Sequence, residues 1–99
     1  MEFMTDEEQF QKIKDSLNIT GDYQDKALFN YYCEAKEYLI DAGVAESIVQ
    51  SSKAVGILTR GVSDLWNYGA GNSTLSPYFK ERAVQLVYKS RVMEQEEAQ

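Results

Sequence analysis

The chain has 99 residues, of which 43% are hydrophobic and 26% are charged, and its formal net charge is -6 at pH 7. This length allows one domain with a single modest core, and the composition is that of a globular protein. Sixteen acidic against ten basic residues weigh against a broad face that neutralises nucleic-acid phosphates. The chain has no histidine and one cysteine, which excludes an internal disulfide and removes the usual zinc ligands.

The start of the chain carries no recognisable targeting signal. There is no basic segment followed by an apolar run, and no stretch approaches the roughly 20 apolar residues of a membrane span. We therefore predict neither secretion nor membrane insertion. Because a second methionine follows within four residues, residues 1–4 are predicted to be a cloning remnant or a disordered start.

The first predicted helix begins after Thr5. This residue is a typical N-cap, and Glu8 three residues later completes a capping box. Apolar residues follow at helical spacing at Phe10, Ile13 and Leu17. The helix is predicted to be short and to end near Asn18.

The second predicted helix runs from a cap at Asp22 to about Ala42, with Gly43 as a C-terminal stop. Its main apolar face consists of Leu28, Tyr31, Tyr32, Ala35, Tyr38, Leu39 and Ala42. A narrower apolar stripe beside it consists of Phe29, Cys33 and Ile40. Together they cover more of the helix than one core requires, so this helix is either central or contacts another subunit.

The third predicted helix starts near Glu46 and reaches about Asn67. Gly56 and Gly61 lie inside it, and each costs about 1 kcal/mol relative to alanine. Interior glycines of this kind predict a bend or the close approach of another backbone. Ile57 lies off the main apolar face and is predicted to make a contact outside the domain.

A glycine-rich loop separates the third helix from the fourth. Its residues are Gly69, Ala70, Gly71, Asn72, Ser73 and Thr74. It has neither the Gly-Lys-Ser/Thr ending nor the preceding strand of a phosphate-binding P-loop, so we interpret it as a flexible linker. The fourth helix is predicted to start with Ser76 as cap and Pro77 in its first position, and to turn Phe79, Ala83 and Leu86 inward.

These elements predict an all-α fold, a compact bundle of four helices (three to five) with a flexible C-terminal tail. The helical domain is assigned to residues 5–89 and the polar tail to residues 90–99. We predict no catalytic residues, no cofactor and no metal site. Cys33 has no histidine to activate it, and the acidic residues 6–8 complement the positive end of a helix dipole.

Three blocks of the sequence carry a resemblance to a known family: residues 17–28 (LNITGDYQDKAL), residues 35–40 (AKEYLI) and residues 62–79. With them, in a likeness that covers most of residues 5–88, the chain resembles the head–tail connector family of long-tailed phages and prophages, also called DNA-packaging adaptors. The first block resembles the entry to the second helix of that family, and the second block resembles the later half of that helix. The third block resembles the aromatic helix end, variable loop and Leu-Ser restart. Many members carry an arginine soon after the aromatic pair, where this chain has Asn67, Tyr68 and Gly69.

The resemblance implies a structural, non-enzymatic protein that forms a homo-oligomeric ring below the portal protein. Such a ring extends the DNA channel and docks a downstream head-completion or tail protein, while double-stranded DNA passes through without specific binding. The implied location is the head–tail junction of the virion, with the host cytoplasm before assembly. The candidate subunit interface is Phe29, Cys33, Ile40 and Ile57, and the loop of residues 69–74 is a candidate contact.

Two other functions fit the sequence less well. The chain could be a small cytosolic helical adaptor or regulator that binds a partner helix in an apolar groove. It could also be a DNA-binding regulator built on the turns at Gly21 or Gly43, but it has no basic recognition helix.

Overall fold

A computed structural model describes residues 3–68 and 75–98 of the chain. Within these ranges the regular structure is helical, and one isolated bridge pairs Phe3 with Ser51. The elements in order are α1 (Asp6–Ser16), α2 (Asp25–Ala42), α3 (Glu46–Val49), a 3-10 turn (Ser52–Ala54), α4 (Val55–Tyr68) and α5 (Pro77–Ala98). The predicted all-α class, with four long helices, is confirmed. No helix in the described ranges combines the length and apolar character needed to cross a membrane.

Helix α1 starts as the sequence predicts. The Thr5 hydroxyl accepts a hydrogen bond from the Glu8 backbone N–H at 3.1 Å, and the Glu8 carboxylate accepts one from the Thr5 N–H at 3.1 Å. This reciprocal capping box satisfies two backbone donors that the first turn leaves without partners. The helix ends at Ser16, and Asn18 adopts a left-handed conformation with φ of 61° in the turn that follows.

The start of α2 differs from the prediction, because the cap is Gln24 and its side chain makes no capping hydrogen bond. Asp22 lies two residues before this cap, and its backbone carbonyl, not its side chain, accepts the Asp25 N–H at 3.2 Å. The Asp25 carboxylate forms an ion pair with the buried Lys14 at 2.6 Å, which ties the start of α2 to α1. The predicted stop at Gly43 is confirmed, since this residue has φ of 109°.

The prediction of one continuous third helix is wrong. Helix α3 ends at Val49, and Ser51 takes an extended conformation before the 3-10 turn leads into α4. The fully buried Gln9 of α1 causes this break: its amide donates to the Val49 carbonyl at 2.8 Å and to the Ser51 carbonyl at 3.1 Å. These are two of the acceptors that a continuous helix would use for its own bonds.

The residues just before α1 are ordered, which corrects the prediction of a disordered start for residues 3 and 4. Met4 is buried, its N–H donates to the Gln50 carbonyl at 2.7 Å, and its own carbonyl accepts the Gln50 amide at 3.0 Å. These hydrogen bonds pack the segment before α1 beside the break between α3 and α4. Residues 1 and 2 lie outside the described residues.

Helix α4 is packed against α1, α2 and α5, and this position makes it the central helix of the fold. Where it crosses α2 and α5, Gly61 lies against Ala35 and Phe79. A Cβ added at Gly61 would be 2.9 Å from the Ala35 Cβ and 2.7 Å from the Phe79 ring, so the close approach at this glycine is made by side chains and not by another backbone. A Cβ at Gly56 would meet nothing within 4 Å, and the prediction does not hold for that residue.

Helix α5 begins as predicted, with the Ser76 hydroxyl accepting the Phe79 N–H at 3.2 Å and Pro77 in the first position. The predicted inward residues Phe79, Ala83 and Leu86 are buried. The helix continues to Ala98, past the predicted domain boundary at residue 89. Ser90 is buried and its hydroxyl accepts the Ala45 N–H at 2.9 Å, so the packed structure extends beyond that boundary.

Candidate functional site

The candidate interface residues of α2 form one stripe on the surface. Phe29, Cys33 and Ile40 are exposed and lie four and seven residues apart, which places them on the same side of the helix. The Phe29 ring also packs edge-on against Phe10 of α1, with ring centroids 5.3 Å apart. We call Phe29, Cys33 and Ile40 the α2 stripe. Its role in a subunit interface stays a prediction.

Ile57 does not belong to this surface, and its assignment to an interface is corrected. Its side chain is 1% exposed and belongs to the hydrophobic core. The sequence places Ile57 off the main apolar face of its helix, but three helices cover α4 and bury both of its apolar arcs. The surplus apolar arc of this helix is therefore explained by its central position.

A groove of about 830 Å³ runs beside the α2 stripe, and we call it the α2 groove. The segment before α1, the first turn of α1, α2 and α3 form its walls. Its apolar lining residues are Phe3, Ile40 and Val49, and its charged lining residues are Asp6, Glu7, Lys36 and Glu46. Phe3 is 71% exposed there, although its backbone is paired with Ser51. The α2 groove thus combines an apolar floor with a mostly acidic rim.

A polar network fixes the charges at one end of the α2 groove. The Asp6 carboxylate accepts hydrogen bonds from Lys36 at 2.7 Å, from the Gln50 amide at 2.7 Å and from the Tyr32 hydroxyl at 3.2 Å. The hydrogen bond from Lys36 is the main reason why the pKa of Asp6 is lowered from its ordinary value of 3.8. Since Lys36 and Asp6 neutralise each other, Glu7 and Glu46 leave the rim negative.

Asp6→Asn is expected to lower the free energy of unfolding by roughly 0.5 kcal/mol at neutral pH, because the carboxylate is half exposed and its ion pair is partly screened. A lowered pKa in the folded state means that this stabilisation is present above pH 3.8 and is lost as the pH falls through the folded-state pKa. Urea unfolding of both proteins across this pH range measures the difference. Glu7→Gln, in the same helical turn, is the control, and a difference independent of pH would contradict the assignment.

A second exposed apolar surface lies on α5 and was not predicted from the sequence. Val84, Tyr88 and Val92 are each more than half exposed and recur every four residues along the helix. We call them the α5 stripe. The signal for it is present in the sequence, since α5 has apolar residues both at its buried positions and at this spacing. The α5 stripe is a second apolar side of this helix, distinct from the side that faces the core.

Basic side chains lie beside the first two members of the α5 stripe. Lys80 and Arg91 line the same shallow depression as Val84 and Tyr88, and the Arg91 guanidinium lies 5.9 Å from the Tyr88 ring centroid. The helix as a whole has four basic and four acidic residues, three of the acidic ones after residue 93. The depression beside Val84 and Tyr88 therefore has the opposite charge to the rim of the α2 groove.

The two surfaces lie on opposite sides of the molecule's second helix. Tyr38 of α2 packs edge-on against Phe79 of α5, with centroids 5.5 Å apart, and so marks the side of α2 that faces α5. Phe29 of the α2 stripe is nine residues away from Tyr38, which is about two and a half turns at about 100° per residue. Phe29 therefore lies on the side of α2 opposite to Tyr38. A second molecule can therefore reach either surface without blocking the other.

The candidate loop contact of residues 69–74 lies outside the described residues. The described chain approaches it on one side through Trp66, whose ring packs edge-on against Tyr31 at 6.3 Å, and on the other through the buried Leu75. The backbone N–H of Ser76 also donates to the buried Asp64 carboxylate at 3.1 Å, which anchors the return of the chain onto α4. The role of the loop stays a prediction.

Reactive groups are poorly placed for chemistry in the described part of the chain. No three of its acidic and cysteine side chains converge as they would around a metal ion. Partial burial raises the pKa of the Cys33 thiol, which disfavours the thiolate that a nucleophile needs. Burial likewise raises the pKa of the Tyr32 phenol. What the geometry offers instead is two exposed apolar surfaces.

Comparisons of the chain with protein-family models, with curated proteins and with solved structures find no match.

Proposed function

We propose that the protein is a structural virion-assembly protein, a head–tail connector that forms a ring below the portal. In this role it extends the DNA channel and docks the next connector or a tail component. The observation that carries the proposal is the pair of exposed apolar surfaces, the α2 stripe with its groove and the α5 stripe, on opposite sides of one small helical domain. The resemblance of the sequence to the connector family supports the same function.

Unlike surfaces on opposite sides of a subunit favour ring formation. When one surface of a copy binds the other surface of the next copy, each added copy still presents one free surface at each end. Such head-to-tail addition stops only when the last copy meets the first. Exposed apolar residues are normally scattered singly on monomers, and a ring covers both stripes.

The charge of the chain suits a protein that surrounds DNA without holding it. A formal charge of -6 gives little attraction for phosphates, so double-stranded DNA can pass without specific binding. The proposed partners are further copies of the chain, the portal protein and a downstream head-completion or tail protein. The proposed place of action is the head–tail junction of the virion, reached from the host cytoplasm. The proposal assigns no catalytic step to any residue.

The α2 groove favours a second candidate function, that of a helical adaptor or regulator. Its apolar floor and acidic rim are features of grooves that accept one amphipathic helix of a partner. In that case the protein would act as a monomer, and the α5 stripe would need a separate explanation. The connector function accounts for both surfaces together.

Negative-stain imaging tests the proposal. The purified protein is imaged at high concentration, alone and after mixing with the portal protein encoded in the same phage or prophage genome. We expect rings of the chain, either free or seated on the portal. A protein that stays monomeric at all concentrations and does not bind the portal would refute the connector function and favour the adaptor.

A further inference from the structure

We propose that neighbouring copies join by a helix-in-groove contact, in which the α5 stripe of one copy docks in the α2 groove of the next. This inference rests on the ring assembly proposed above and names the surfaces that form it. The occupant of the α2 groove is therefore a second copy of this chain. Three properties of the described residues support it: shape, charge and direction.

The first property is shape. Residues 84 and 92 are eight positions apart, so the α5 stripe is about 12 Å long at 1.5 Å per residue. Its members point to one side of a helix that is otherwise well anchored, since Phe79, Ala83 and Leu86 are buried in the core. The α2 groove is open along its length and has an apolar floor. A rigid helix with one apolar edge is the kind of element that such a groove accepts.

The second property is charge. Lys80 and Arg91 flank the α5 stripe, whereas Glu7 and Glu46 remain uncompensated on the rim of the α2 groove once Asp6 has paired with Lys36. Bringing these groups together places basic side chains beside acidic ones. Complementary charges at the rim of a contact accelerate association and disfavour the reversed orientation. The contact is thus specified as head-to-tail.

The third property is direction. Ser90 of α5 faces its own molecule, because its hydroxyl bonds to Ala45 at the start of α3. Tyr88 and Val92 each lie two residues from Ser90, so they point about 160° away from it around the helix. The α5 stripe therefore faces outward and cannot fill the groove of its own chain. Only another copy can bring it there.

Ile40 belongs to the α2 stripe and also lines the α2 groove, so a cysteine at this position is a probe for the contact. One partner in the experiment is a Cys33→Ser chain that carries Ile40→Cys as its single cysteine. The other partner is a tagged Cys33→Ser chain that carries Val92→Cys as its single cysteine. The two are mixed under mild oxidation, with and without the portal protein, and the mixed disulfide is measured on a non-reducing gel. A tagged Cys33→Ser chain with Thr20→Cys, exposed on the link between α1 and α2, is the matched control.

We expect a mixed disulfide between the cysteines at positions 40 and 92, and none in the Thr20→Cys control. We also expect Arg91→Glu in the tagged partner to reduce the mixed disulfide, and Glu7→Lys in the untagged partner to restore it. Absence of the mixed disulfide, or equal amounts with the control, would overturn the inference. So would protection of the cysteine at position 40 from alkylation by the portal protein in a chain that also carries Arg91→Glu, because the portal and not α5 would then occupy the groove. Rings without the mixed disulfide would leave the connector function intact and refute this contact. A mixed disulfide without rings would support the contact and refute the connector function.

Discussion

Gln9→Leu is expected to lower the free energy of unfolding by about 2–3 kcal/mol, because buried polar groups that lose their partners keep the full cost of their burial. The Gln9 amide bonds the Val49 and Ser51 carbonyls, and its oxygen accepts the Tyr32 hydroxyl at 2.7 Å. Leucine fills a similar volume but leaves both carbonyls without the Gln9 amide, and the Tyr32 hydroxyl keeps only its longer hydrogen bond to Asp6 at 3.2 Å. Urea unfolding followed by circular dichroism measures the loss.

The matched control is Gln11→Leu, the same substitution two residues later on α1. Gln11 is exposed and donates to Asp15 within the same helix, so its loss should change the free energy of unfolding by no more than about 0.5 kcal/mol. If both substitutions had equal small effects, Gln9 would not be what holds the break between α3 and α4 in place.

Gly61→Ala and Gly56→Ala are expected to change stability in opposite directions. At Gly61 the added Cβ would press on Ala35 and on the buried Phe79 ring, and overpacking of this kind costs about 1–3 kcal/mol. The higher helix propensity of alanine offsets about 1 kcal/mol of that cost. We expect a net loss of up to about 2 kcal/mol at Gly61 and a gain of up to about 1 kcal/mol at Gly56, where the space is open.

Thermal and urea unfolding of both glycine variants check these signs, and a double variant separates the causes. Phe79→Leu removes the ring edge that meets the new methyl group, so the cost of Gly61→Ala should shrink in its presence. A stabilising effect of Gly61→Ala in the otherwise unchanged protein would contradict the close packing of α2, α4 and α5.

Much of the fold can be predicted from local signals in the sequence. The capping box at Thr5, the glycine stop at Gly43 and the Ser76-Pro77 start each depend on groups within a few residues. The groups that determine each boundary lie next to it in the sequence, which is why these boundaries agree with the structure.

The errors come from contacts between residues far apart in the chain. The break after Val49 depends on Gln9, which lies 40 residues away in sequence. The predicted cap at Asp22 is wrong, and the start of α2 is instead tied to α1 by the ion pair between Lys14 and Asp25. Helical periodicity carries no information about such partners.

The candidate surfaces divide in the same way. The α2 stripe could be predicted, because an apolar stripe beside a complete core face is visible in the sequence. Ile57 could not be distinguished from it, since each lies off the main apolar face of its own helix and only the burial of α4 by three helices shows the difference. The α2 groove depends on Phe3 pairing with Ser51, a contact that no local pattern indicates.

The central claim is that copies of this chain join head to tail into a closed ring, and the mass of the assembly tests it most directly. Native mass spectrometry of the protein mixed with its portal should give one sharp species with a fixed number of copies. Arg91→Glu should reduce that species in favour of monomer while circular dichroism stays unchanged. A monomer at every concentration with the portal present, or a broad ladder of sizes with no preferred number, would contradict the claim.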